Sequence, residues 1–220
     1  MIIVIFGCVT AGLFIINRWD EPLPLKGREY CVILIGAFLQ GTVIRYLSNG
    51  EPAENEILLA VIGGSLLLAC VTDIIICQVY NFTWLPAVTA ASILFWYRLC
   101  GMGIDAICHM LWSLFFFLFA QRVLFFKMYG KADGYAFCVC ALAEAARGIK
   151  TAGFLLHMLL AYVLLFLVQA VRSNINSRGN LKQPVPFLPY ITISFWMTVC
   201  LWQMRNALLP FCEMSSRFSS

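Results

Sequence analysis

The chain has 220 residues, of which 62% are hydrophobic and 12% charged, against about 45–50% apolar and about 25% charged residues in an ordinary globular chain. That balance excludes a soluble domain and points to the bilayer, with one compact unit whose core is the packed interior of a helix bundle. The net charge of +4 is scattered over short loops, which argues against a nucleic-acid partner and makes the basic residues markers of topology.

Residues 1–16 are apolar from Ile2 onward. They lack the basic leading region and the small-x-small cleavage site of a signal peptide, and read as a retained first span. At ~1.5 Å per residue this segment reaches about 24 Å, slightly under a hydrocarbon core of about 30 Å. Trp19 is placed to anchor its end at the interface. Further apolar segments lie at 30–47, 57–76, 82–99, 104–126, 134–146, 153–171 and 186–204, which makes eight candidate spans. The sixth is short and carries Glu144, so seven spans with a re-entrant sixth segment is the alternative.

The expected fold class is therefore all-α, a polytopic transmembrane helix bundle of seven to eight spans. It divides into two N-terminal helices and their loops (1–56), a core (57–204) and a polar tail (205–220). Nine Lys and Arg residues fall in the odd-numbered loops, among them Arg18, Lys26, Arg122, Lys127, Arg178 and Lys182, and six fall elsewhere. Cytoplasmic loops carry the excess, so the odd loops are expected inside and the N-terminus outside.

Ten cysteines are present, nearly all within apolar runs (Cys70, Cys77, Cys108, Cys138, Cys140, Cys200), where cysteine behaves as a small hydrophobe. No C-x-x-C pair occurs, and neither a metal cluster nor a disulfide framework is expected. His109 and His157 are single histidines in long apolar stretches and read as satisfied interior residues. Cys108 and His109 are adjacent, so on a helix they point apart and cannot act as nucleophile and base. Glu144 and Arg147 stand three apart on one helical face, which suggests a local ion pair. Asp105 follows Gly101-Met102-Gly103 and reads as the N-cap of the fifth helix.

Two acids remain. A carboxylate near bilayer depth costs a few kcal/mol, so it is a functional candidate by default. Asp73 lies in an almost unbroken apolar run, between Ala69-Cys70-Val71-Thr72 and Ile74-Ile75-Ile76. Asp133 stands at the mouth of the sixth segment, where an N-cap is the plain alternative. Both fall on loops of the same parity and so reach the same membrane face. Two carboxylates at one depth can share a proton, one ionised to activate water and one protonated to polarise a carbonyl.

Three short motifs sharpen this reading. Asp73-Ile74-Ile75-Ile76-Cys77-Gln78-Val79-Tyr80-Asn81 runs on to Leu85-Pro86, Gly130-Lys131-Ala132-Asp133 follows, and Pro184-Val185-Pro186-Phe187-Leu188-Pro189-Tyr190 precedes the last segment. In this order they resemble the type IV prepilin peptidases, intramembrane aspartic proteases of the G-x-G-D type, over residues 57–204. Alanine replaces the second glycine of G-x-G-D, Tyr80 stands where the family usually has proline, and Tyr135 stands where it usually has lysine.

The resemblance implies a membrane-embedded aspartic endopeptidase in the bacterial plasma membrane, with Asp73 and Asp133 as catalytic residues. It would use no metal or other cofactor, and its substrate would be a prepilin or pseudopilin-like protein cut at a short basic leader. The long cytoplasmic insert with paired cysteines that accompanies methyl transfer in two-function members is missing, so S-adenosylmethionine is not implied. In this setting Gly130 would let a backbone come close to an extended substrate. Pro186 and Pro189 would either keep the start of the last helix irregular or simply mark it. The rival reading is a small transporter or catalytically silent scaffold that uses the two aspartates for ion or proton coupling.

Overall fold

The computed structural model describes residues 1–19, 23, 25, 27–49, 51–120, 130–175 and 185–218, without the side chains of Arg28, of residues 173–175 and of residues 207–218. Among the described residues the regular structure is helical throughout. The helices are α1 (Ile2–Trp19), α2 (Gly27–Leu47), α3 (Ala53–Ile76), α4 (Trp84–Cys100), α5 (Ile104–Ala120), α6 (Lys131–Ala146), α7 (Thr151–Ile175) and α8 (Leu188–Phe218), with a 3-10 turn, Asn81–Thr83, leading into α4.

The centre of the bundle is α3. Its side chains from Leu59 to Thr72 are buried at all but one position, as expected of a helix apolar on every side. It packs against α1, α2, α4 and α8. At Gly64 a side chain would place its Cβ 2.7 Å from Cys8 Cβ and 3.1 Å from the Ile5 carbonyl oxygen, so glycine is what lets the α1 backbone come this near. The helix stops at Cys77, which takes a left-handed conformation (φ 53°) and donates its N–H to the Asp73 carbonyl. Cys77 is thus an exposed helix cap, where the sequence suggested a member of an apolar run. This stop leaves Asp73 in the last turn of α3.

Among the described residues four helices are long and apolar enough to cross a membrane: α1, residues 29–47 of α2, α3, and residues 151–172 of α7. Large apolar side chains such as Phe14, Phe38, Trp112 and Phe166 stand exposed on outward faces, as a lipid-facing surface requires. Over its described residues each of the eight apolar segments maps onto one helix, but α4, α5 and α6 as described have only 17, 17 and 16 residues, about 24–26 Å at 1.5 Å each. The sixth segment is a continuous helix, buried at Ala136, Phe137, Val139, Cys140, Ala141, Ala143, Glu144 and Ala145, and its small side chains let α4 close against it.

The last helix continues past its apolar segment, through residues 205–218 of the polar tail, to Phe218, because polarity decides where a helix leaves an apolar layer and not where it ends. The loop arithmetic rests partly on Lys26, Arg122, Lys127, Arg178 and Lys182, which lie outside the described residues, as do Pro184 and residues 121–126 of the fifth segment.

Candidate functional site

Pro86 sits in the first turn of α4 and Pro189 in the first turn of α8, positions where a missing N–H breaks no helical bond. The first amides of a helix have no partner within it. At α8 they are satisfied from another helix: the Leu188 N–H donates to Asp73 Oδ2 at 3.2 Å, across 115 residues of sequence, and the Phe187 amide contributes as well. The positive end of the α8 dipole adds to the attraction. Asp73 is therefore both a carboxylate near the surface of α3 and the cap of α8.

Asp133 is held locally. Gly130 occupies the N-cap position of α6, and Asp133, three residues on, accepts the Gly130 N–H with Oδ2 at 3.0 Å. This is the carboxylate half of a capping box, so Asp133 is not itself the N-cap. The end of α3 and the starts of α4, α6 and α8 lie together, and Asp133 is near enough to Asp73 to feel its negative charge. Around them Tyr162 of α7 packs on Phe187, ring centres 5.3 Å apart, and Trp84 of α4 packs on Tyr135 of α6 at 6.3 Å. Among the described residues the Tyr162 hydroxyl has no hydrogen-bond partner, and it is close enough to Asp133 to be influenced by it. All three motif segments thus meet at one end of the bundle.

Other sequence assignments move. Glu144 does not pair with Arg147. It meets His157 instead, Oε1 to Nδ1 2.8 Å, with both side chains essentially inaccessible, while Glu144 Oε2 has no partner among the described residues. The His157 Nε2 lies 3.0 Å from the Ile191 carbonyl. A carbonyl only accepts, so Nε2 carries a proton, and the pair with Glu144 is neutral overall whichever partner holds the second proton. Arg147 turns the other way and donates to the Leu47 carbonyl (2.8 Å), Gln203 (2.9 Å) and Glu51 (3.2 Å). Local spacing favoured Glu144 with Arg147, but α6 ends at Ala146, so Arg147 lies beyond the helical face that would align them.

His109 is exposed on α5, not interior, and Asp105 is the second residue of α5, two residues past the cap position at Gly103. His157 is interior and satisfied, as expected. The Glu144–His157 contact joins α6 to α7, and no spacing rule links its members. The one signal available was that each is an ionisable residue within an apolar segment.

Among the described residues no group of three or more His, Cys, Asp or Glu side chains is placed to hold a metal ion. What the clustered end offers is acid–base chemistry from two carboxylates, backed by backbone donors and a tyrosine hydroxyl. No family model, no curated protein and no solved structure matches this chain.

Proposed function

We propose that this chain is a membrane-embedded aspartic endopeptidase of the prepilin leader peptidase kind, a bundle of about eight spans in the bacterial plasma membrane. The observation that carries the reading is the meeting of Asp73, Asp133 and the Phe187-Leu188 amides at one end of the bundle. Two like charges in proximity do not both ionise easily, so the pair shares a proton. The ionised carboxylate takes a proton from water while the resulting hydroxide adds to the scissile carbonyl carbon. The protonated carboxyl gives its proton to the carbonyl oxygen. The carboxyl that took the proton from water then passes it to the amide nitrogen, the C–N bond breaks, and the other carboxylate recovers its proton from a hydroxyl of the collapsing diol, which restores the shared proton. The substrate is a prepilin or pseudopilin-like protein whose short basic leader is cut before an apolar N-terminal helix.

Because Asp73 also caps α8, the test separates chemistry from folding. Asp73→Asn and Asp133→Asn keep size and one accepting oxygen but can act as neither base nor acid. Each is expected to abolish the mobility shift of a co-expressed prepilin while membrane levels and thermal unfolding stay near wild type. Asp105→Asn, exposed on α5, is the control that keeps processing. Normal processing by either aspartate variant would sink the protease reading and leave ion coupling or a scaffold in its place.

A further inference from the structure

At the end of the bundle opposite the two aspartates, the start of α3, the ends of α4 and α6 and the middle of α8 surround a cavity of about 630 Å³. That is within the usual range for small-molecule sites, about 300–1,000 Å³. Its wall is held by Arg147, which ties the end of α2, Glu51 before α3 and Gln203 of α8 together. Arg147 and Glu51 thereby answer each other's charge.

Arg98 is different. It lines the same cavity, is exposed, and among the described residues forms no ion pair. Its guanidinium lies over Gly148, where a Cβ would come within 3.3 Å of Nη2. Gly148 has φ 77°, a conformation that itself favours glycine. The turn after α6 therefore leaves room for a cation without supplying it an anion.

The remaining lining is amphiphilic. Leu94 and Val199 give it an apolar floor, and Tyr97 and Trp202 an aromatic rim, the pairing found where a membrane meets water. A planar guanidinium binds a phosphate oxygen pair well. The geometry points to this cavity as a binding site for a phosphate-bearing anion, supplied by an anionic phospholipid whose headgroup meets Arg98 and whose glycerol end rests on Leu94 and Val199. This site is independent of the proposed peptidase activity.

The test uses the full chain purified in a non-ionic detergent, with native mass spectrometry of retained lipid after addition of phosphatidylglycerol or phosphatidylcholine. Thermal unfolding with inorganic phosphate alone forms the second arm. Wild type is expected to retain phosphatidylglycerol over phosphatidylcholine. Arg98→Gln and Arg98→Glu are expected to weaken that retention at least about tenfold, the loss due to one charge-assisted hydrogen bond, and Arg98→Lys to keep most of it. Arg98 is exposed, so circular dichroism of these variants should match wild type; Arg45→Gln, on the same end but paired with Glu56, should not change retention. Stabilisation by inorganic phosphate that is lost in Arg98→Gln, without any lipid preference, would support the anion site and reject the lipid as its source. Equal retention of both lipids together with no response to phosphate, or binding unchanged in Arg98→Gln and Arg98→Glu, would overturn the proposal.

Discussion

The buried contact between Glu144 and His157 makes a quantitative demand on stability. Both side chains are essentially inaccessible, at 0% and 1% exposure, so removing one strands the other where neither water nor a new partner can reach it. Stranding a buried charge in this way costs about 3–5 kcal/mol. Glu144→Met and His157→Phe should therefore each destabilise the bundle by about that amount. The double variant removes both polar groups at roughly conserved volume, and replacing a buried pair by packed apolar side chains is often close to neutral. The Ile191 carbonyl is not orphaned by the loss of His157, because it also accepts the Ser194 hydroxyl at 2.9 Å. The double variant should then lie within about 2 kcal/mol of wild type, a coupling of about 4 kcal/mol or more between the two sites. Unfolding by a denaturing detergent, followed through the six tryptophans, measures all four corners of the cycle. Single-variant losses that add to within about 0.5 kcal/mol would refute the pair as an energetic unit.

Gly64→Leu should separate α1 from α3, since even a Cβ there approaches the Ile5 carbonyl to 3.1 Å; a loss of about 1–3 kcal/mol or more, with raised protease sensitivity of α1, is the expected outcome, and unchanged unfolding would contradict the close approach. Arg147→Met should cost about 1–3 kcal/mol by leaving Gln203 Oε1 and Glu51 without their donor, while the Leu47 carbonyl keeps Gln203 Nε2 at 3.3 Å, whereas Arg18→Met, exposed at the end of α1, should change stability by less than about 0.5 kcal/mol; equal effects in the two would show that Arg147 does not tie the helices together. Tyr162→Phe removes a hydroxyl that has no partner among the described residues, so stability should stay level or rise by up to about 1 kcal/mol, and a clear loss would reveal a hydrogen bond that the hydroxyl makes in the membrane.

The sequence determined the helical character and, among the described residues, the order of the helices, because both follow from local chemistry. Apolar runs broken by proline, glycine and charge set the helix starts within a few residues, whereas α8 runs well past its apolar segment to Phe218, and Pro86 and Pro189 mark first turns as their missing N–H requires. It also marked Asp73, Asp133 and the Pro186-Phe187-Leu188 stretch as belonging together, by resemblance and by the parity of their loops. Other decisions belong to the tertiary structure. The donors that Asp73 accepts lie 115 residues away, and no pattern along α3 announces them. The partner of Glu144 is His157 on another helix and not Arg147, because a helix end redirects Arg147 while close packing brings α7 against α6. The cavity around Arg98 exists only where the ends of three helices meet the middle of α8. Periodicity records which face of a helix avoids water, but the pairing of buried polar groups depends on which helices become neighbours, and that is set by shape, as at Gly64, where the absence of a side chain brings α1 against α3.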